Sequence, residues 1–307
     1  MTVVVIGNAT VDLSYEVPRL PAPGETVLAR VKRVDAGGKG LNQAIVARRA
    51  GAEVVYCAPL GQDAQAEVIL ERLKAGGLEA AQLRRVPVPT DESLIFVAPA
   101  GENAIVSTAA AAHALDETAV TPILAGLRPG DLLLMQGNLT RAVTAACLDR
   151  AREVGARTML NPAPIAFDYE GLWPAVGIAV VNEVESTLLT GIGDPTTAAQ
   201  ALRRSGVGTV VTTLGAEGVS LVDGDGEHRV PAPQVKAVDT TGAGDVFCGV
   251  LAAALEGPLE WAPALRWAVA AASASVTRRG TASAFPSSEE LLRLREEALA
   301  GPGRAKC

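Results

Sequence analysis

Leu132-Leu133-Leu134-Met135, the helix-prone stretch Thr140 to Val154, and then Thr158-Met159-Leu160 read as strand, helix and strand. Both short runs are apolar at every position instead of alternating, which suits strands covered on both faces of a sheet. The same kind of run recurs at Val3–Ile6, Val54–Cys57, Ile178–Val181 and Thr209–Thr212. Helical stretches at Ala64–Ala75, Glu183–Leu189 and Thr196–Ser205 fall between most of them. Strand-helix alternation of this kind predicts an α/β fold: a doubly wound, mainly parallel sheet with helices on both faces. After residue 240 the pattern turns helical, with Trp261–Val276 and Ser288–Ala300 as the later elements.

Two stretches interrupt the alternation. Residues 11–36 and about 86–108 are rich in Val, Thr and Pro, with strand-like runs at Thr26–Val34, Ser93–Ala98 and Ala104–Ser107. By themselves they read as loops and a hairpin. No internal repeat or low-complexity linker is evident, and Gly301 to Cys307 reads as a frayed tail.

Composition narrows the class of protein. With 307 residues, 49% hydrophobic and 20% charged, the chain can bury a large core, and with 3% aromatics that core must be built from Ala, Val and Leu. A net charge of −7 argues against a general binder of nucleic acid or membrane, both of which need a positive surface. The run Val3 to Ile6 has no positive region before it, and no stretch approaches the roughly 18 apolar residues of a membrane span, so a cytoplasmic protein is expected. Cys57, Cys147, Cys248 and Cys307 are scattered without a C-x-x-C pair, as for reduced thiols. Cys248 lies close to Asp245 in sequence and reads as a small apolar core residue. His113 and His228 stand alone and are assigned to the surface or to polar packing. Neither a G-x-x-x-x-G-K-[S/T] loop nor a His-Arg-Asp catalytic loop occurs, and the G-x-G-x-x-G of dinucleotide binders is missing after the first strand.

The chemistry concentrates in two glycine-rich segments. Asp239-Thr240-Thr241-Gly242-Ala243-Gly244-Asp245 runs straight into the apolar, helix-prone Val246 to Leu255. Unpaired N–H groups at a helix start attract an anion, and the glycines let the backbone approach a phosphate closely. Asp245 cannot favour phosphate by its charge; it makes sense there as a base that takes a proton from an attacking hydroxyl. These residues alone equally allow a capped helix after a tight turn. The second segment, Ala36-Gly37-Gly38-Lys39-Gly40-Leu41-Asn42-Gln43-Ala44, leads into a helix that stops at Ala50-Gly51. Lys39 and Asn42 share a face of its first turn and offer a cation and an amide to a polyhydroxy ligand.

Together, in this order, the two segments resemble the paired signatures of the ribokinase family, the PfkB-type sugar and nucleoside kinases. Further matches are Gly7-Asn8-Ala9-Thr10-Val11-Asp12, Pro23-Gly24-Glu25-Thr26, Asn161-Pro162-Ala163-Pro164, Asn182-Glu183-Val184-Glu185, Thr213 to Gly218 and Thr277-Arg278-Arg279-Gly280. They span nearly the whole chain, which is identified as a member of that family, its ribokinase branch most of all. The resemblance implies one kinase domain over residues 1–307, with the two interrupting stretches forming a small β lid over the sugar that also serves as a homodimer surface. It implies that Asp245 is the catalytic base and that the N–H groups of Gly242, Ala243 and Gly244 form an anion hole. Asp12, Gly38, Lys39 and Asn42 match sugar-contacting positions. Asn182 and Glu185 match an N-x-x-E pattern tied to phosphate and to the water shell of Mg²⁺, although a helix cap with a first-turn acid explains the same residues. Thr213, Leu214, Gly215, Ala216, Glu217 and Gly218 match the nucleotide loop, with Gly244 also against ATP. Asp239, Thr241, Ser275, Arg278 and Gly280 fall where the family often binds K⁺, mostly through backbone carbonyls.

The departures bear on the substrate. Thr10 stands where the family pattern has asparagine, Asn138 where it has a glutamate for sugar hydroxyls, Ala110 and Ala112 where it has glycine and asparagine, and Ala284 where a serine is usual. Exchanging a carboxylate for an amide changes which hydroxyls a pocket can satisfy, and an unpaired buried partner costs on the order of 1–3 kcal/mol. The expected activity is transfer of the γ-phosphate of Mg-ATP to the primary hydroxyl of a small sugar, a pentose such as ribose. The alternatives are a nucleoside, hexose or ketose kinase of the same family, or a sugar- or nucleotide-binding protein without catalysis.

Overall fold

The computed structural model describes residues 1–99, 103–257 and 260–301; Cys307 and nearly all of the expected tail lie outside them. The chain opens with β1 (Val3–Ile6), β2 (Thr10–Glu16) and β3 (Val31–Gly37), then α1 (Lys39–Arg49), β4 (Val54–Cys57), β5 (Pro59–Leu60) and α2 (Ala64–Ala75). Next come β6 (Arg84–Arg85), β7 (Glu92–Val97), β8 (Asn103–Ser107), α3 (Ala110–Ala114) and α4 (Glu117–Gly126). The second half continues with β9 (Leu132–Gln136), α5 (Arg141–Glu153), β10 (Arg157–Asn161), β11 (Ile178–Asn182), α6 (Glu183–Thr190), α7 (Pro195–Arg204) and β12 (Thr209–Thr213). It closes with β13 (Val219–Val222), β14 (Glu227–Val230), α8 (Ala243–Glu256), α9 (Trp261–Ser275) and α10 (Ser288–Ala300).

One eight-stranded sheet runs in the order β14-β13-β12-β11-β10-β9-β1-β4. The six strands from β12 to β4 pair in parallel, and β13 and β14 add an antiparallel edge. The apolar-throughout strands have a simple cause. Val3, Val5, Leu132 and Leu134 face one buried cluster with residues of α1, α2, α8 and α9, while Val4, Ile6, Leu133 and Met135 face another with α4, α5 and α7. Each fully buried Val or Leu of this kind contributes roughly 1.5–3 kcal/mol through the hydrophobic effect.

The strand order reverses between β1 and β9, since the chain leaves β1 toward β4 on one side and later inserts β9 on the other. A crevice outside the carboxyl ends of the strands opens at such a switch point. Gly7, just past β1, lies so close to the end of β9 that a Cβ on it would sit 2.1 Å from Gln136 Oε1.

The two interrupting stretches form a separate four-stranded sheet, β3-β2-β7-β8. The expected strand at Thr26–Val34 is shifted: residues 26–30 are irregular, and the strand spans Val31–Gly37, pairing antiparallel with Thr10–Glu16. Three groups of elements did not stand out in the periodicity. The first is β2 itself; the second is α3 with the Pro122-containing α4; the third is the β13–β14 hairpin, which follows the turn at Gly218. Gly218 adopts φ +101°, and a Cβ there would meet Val230 O at 2.1 Å, so this turn requires glycine. Among the described residues no helix is long and apolar enough to cross a membrane.

Candidate active site

Asp245 is the third residue after Gly242, the N-cap of α8, which takes the left-handed φ of +79°. That backbone turn leaves the helix start without a side-chain cap. Among the described residues nothing accepts a hydrogen bond from the N–H of Gly242 or Gly244, whereas Ala243 N–H donates to Thr240 O at 3.3 Å. The free donors of the expected anion hole are therefore those of the two glycines, with Ala243 already engaged by the turn.

The other wall is α1. Its N-cap, Gly38, has φ +95°, and a Cβ there would meet Ala9 Cα and Thr10 N at 3.0 Å. Asn8, at the end of β1, holds the first turn by accepting from Gly40 N–H at 3.2 Å through Oδ1 and from Leu41 N–H at 3.1 Å through its carbonyl. Helices α1 and α8 approach closely because Gly249 faces Gln43 O and Val46 at 2.7 Å from where its Cβ would be. That approach brings three side chains of α1 to one carboxylate. Asn42 Nδ2 donates to Asp245 Oδ2 at 2.9 Å, Gln43 Nε2 donates to Asp245 Oδ1 at 3.0 Å, and Lys39 Nζ stands 3.9 Å from Oδ1. Asp245 in turn raises the pKa of Lys39 against the opposing effect of burial, so the amine stays charged.

A cavity of about 220 Å³ opens in front of these groups. Lys39, Asn182, Glu185, Thr213, Gly242, Gly244 and Asp245 line it, so the carboxyl ends of β11 and β12 face the starts of α1 and α8. Asn182 and Glu185 form a capping box on α6: Asn182 Oδ1 accepts from Glu185 N–H at 2.8 Å, and Glu185 Oε2 accepts from Asn182 N–H at 2.9 Å. The expected cap is real and engages Glu185 through Oε2, while the residue also lines the cavity. Leu214 to Gly218 form the turn beyond β12, closed by Leu214 N–H donating to Gly218 O at 2.8 Å. A wider cleft of about 480 Å³ lies at the opposite ends of β10–β12, lined by Arg152, Pro174 and several glycines, and gathers none of these groups.

Asp12 sits on β2 of the small sheet, beside Gly37, whose Cβ would meet its Oδ2 at 2.1 Å. Burial raises its pKa from 3.8 to about 6 against hydrogen bonds from Thr10 and Ser93, and the charges of Asp35 and Asp245 push the same way as burial. Thr10 Oγ donates to Asp12 Oδ1 at 2.9 Å. Asn42 Oδ1 and Asn138 Oδ1 are buried and, among the described residues, have no partner. Asn138 lies just past β9 and is not part of the cavity wall.

The sequence pattern of "pfkB family carbohydrate kinase" matches residues 1–288. The chain belongs to this family. Its members are ATP-dependent, and the kinase is a phosphotransferase with an alcohol group as acceptor. It is 33% identical over 304 residues to the ribokinase of Haemophilus influenzae, covering 97% of this chain and 99% of that one. It is also 30% identical over 297 residues to the deoxyribokinase of Salmonella typhi, covering 94% and 97%. A solved Arabidopsis thaliana ribokinase, complexed with ribose and ATP, matches its fold with a TM-score of 0.87 at 28% identity, over 96% and 98% of the two chains.

In this pfkB kinase the segment 238–241 packs on the end of α9. Asp239 Oδ1 accepts from Thr241 N–H and Oδ2 from Gly280 N–H, both at 3.0 Å. Burial works to raise the Asp239 pKa, but these hydrogen bonds and Arg279 outweigh it and hold the carboxyl below its usual value. Ser275 is buried, and Arg278 is turned to Glu290 at 2.6 Å. His113 and His228 are exposed, and Cys248 is both core residue and cavity wall, its thiol pushed well up by burial. Sequence reasoning gave no role to Gln43, Gln136, Asn161 or Ser93. The available signal was polarity out of place: Gln136 and Asn161 end strands that are otherwise apolar, and Gln43 interrupts an apolar helix face.

Proposed function

We propose that the kinase transfers the γ-phosphate of Mg-ATP to the primary hydroxyl of a pentose such as ribose, with Asp245 as the base. The observation that carries this reading is a carboxylate held on both oxygens by amides, beside free glycine N–H groups and a charged lysine, all facing one cavity. The hydroxyl oxygen attacks the γ-phosphorus, the bond to the bridging oxygen of ADP breaks, and the hydroxyl proton passes to Asp245. Gly242 and Gly244 N–H groups meet the developing charge. Lys39 adds a fixed cation at the same point, and most of the rate comes from holding the two reactants in line.

Asp12, Gly38, Lys39 and Asn42 hold the sugar in this reading, with Thr10 and Asn138 shaping which hydroxyls are accepted. Asn182 and Thr213 to Gly218 hold the nucleotide. Magnesium bound with ATP would supply charge neutralisation, and Glu185, at the cavity wall, would hold its water shell. Potassium belongs, in this proposal, to the carbonyls around Asp239, Thr241, Ser275, Arg278 and Gly280. The whole chain acts as one kinase domain in the cytoplasm, and the small sheet is its lid. Its exposed Leu28, Val31, Val34, Leu94, Ile105 and Val106 support pairing of two copies through the lid.

An ADP-release assay over pentoses, 2-deoxypentoses, hexoses, ketoses and nucleosides, with and without K⁺, tests the reading. D-ribose is expected among the fastest substrates. Release with nucleosides alone would move the activity to that branch, and no release with any acceptor would leave a binding protein.

A further inference from the structure

Three buried amides line up behind Asp245. Gln43 is fully buried on α1, among Leu41, Ala44, Ile45, Val46 and Ala47. Its Nε2 donates to Asp245 Oδ1 at 3.0 Å and to Asn161 Oδ1 at 3.3 Å, and its Oε1 accepts from Gln136 Nε2 at 2.8 Å. One backbone group decides which end of each amide points where. Val180 C=O can only accept, so Asn161 turns its Nδ2 to it at 3.0 Å and leaves Oδ1 toward Gln43. Gln43 must then present Nε2, whose second hydrogen reaches the carboxylate. Its oxygen faces Gln136, which offers Nε2 in turn and leaves its own Oε1 without a partner among the described residues. The sheet thus sets the polarity of the chain of amides, and the chain ends with a donor on the carboxylate.

An apolar side chain would fill the position of Gln43 without the cost of burying an amide. What the amide adds is orientation. With Gln43 on Oδ1 and Asn42 on Oδ2, rotation of the carboxylate is blocked, and its remaining edge lines the cavity. We infer that Gln43 is a positioning residue that aims the Asp245 carboxylate at the acceptor hydroxyl, and that Gln136 acts on phosphoryl transfer only by fixing Gln43. This rests on the reading of Asp245 as the base. Gln43 is not part of the cavity wall, so its effect belongs to turnover and not to the binding of either substrate.

The test compares Gln43→Met, Gln136→Met, the double variant and Asp245→Asn with the unaltered kinase. The assay uses Mg-ATP and the sugar that gives the fastest ADP release among D-ribose, 2-deoxy-D-ribose and the ketoses. Gln43→Met is expected to lower kcat about ten- to a hundredfold, the worth of one hydrogen bond to a charged group, with both KM values within about threefold. Gln136→Met should lower kcat by less, and the double variant should match Gln43→Met alone. A kcat within about twofold for Gln43→Met, losses confined to KM, or additive losses in the double variant would overturn the inference. If Gln43→Met does not fold, Gln136→Met decides, and an unchanged kcat there overturns it. The base reading fails separately, through undiminished turnover by Asp245→Asn. An inactive Asp245→Asn beside an unaffected Gln43→Met removes the positioning role and leaves the base in place.

Discussion

The two main sheets treat their carboxylates differently. At the end of the eight-stranded sheet, Asp245 is 5% exposed, with a donor on each oxygen and a lysine beside it. On the four-stranded sheet, Asp12 is held by the hydroxyls of Thr10 and Ser93 and pushed up to about 6, and the strands around it expose Val34, Leu94 and Ile105 to solvent. A sheet buried on both faces can hold a group rigidly, because every neighbour is itself packed. A sheet with an open face cannot, and it suits selection better than chemistry. In the proposed function, the contrast separates a catalytic region from a selecting one.

The largest expected effect tests the rigid side. Asp245→Asn should lower kcat by roughly 10²–10⁴-fold, the usual worth of a general base, while nucleotide binding measured by calorimetry stays nearly intact. Next comes the spacing of the two helices. Gly249→Ala should destabilise the kinase by about 1–3 kcal/mol in denaturant unfolding, because its Cβ forces α1 from α8 and draws Asn42 and Gln43 off the carboxylate, so kcat falls with it. Val106→Ser on the open face should stay within about 0.5 kcal/mol by the same measurement. Equal losses at the two positions would erase the contrast.

Smaller effects test the selecting side. Thr10→Asn with Asn138→Glu should raise kcat/KM for ribose by about tenfold if these positions set the preference. No gain would shift selectivity to the lid loops. The Asp12 carboxyl gives a pH signature. As pH falls through about 6 it takes a proton, loses its charge and turns one acceptor oxygen into a donor, so the sugar KM should rise there, and Asp12→Asn should flatten that rise. Its effect on stability has the opposite sense. Because its folded pKa is raised above 3.8, its contribution is greatest below that value and is lost as pH rises through about 6.

Much of this was legible in the chain. The strands at Val3–Ile6 and Val54–Cys57 were read with their observed ends, because burial on both faces writes an unbroken apolar run. Both glycine segments were legible because the sharp turns into α1 and α8 need glycine at Gly38 and Gly242, each with positive φ. The antiparallel edge was not, since β13 is buried at all four positions and looks like any short apolar run. Ser93 was missed because its place opposite Asp12 depends on the pairing of β2 with β7.

The sequence by itself determined the layered α/β class, the pfkB signatures and the acid most exposed to suspicion, Asp245. These are local facts, carried by residue type and near neighbours. Only the tertiary structure decided that Gln43, Gln136 and Asn161 meet behind that acid, and that Asn42 spends its amide hydrogen on it while keeping an oxygen free. Contacts between residues 93 to 203 positions apart leave no periodic trace, because they exist only once α1 and α8 close on the switch point of the sheet.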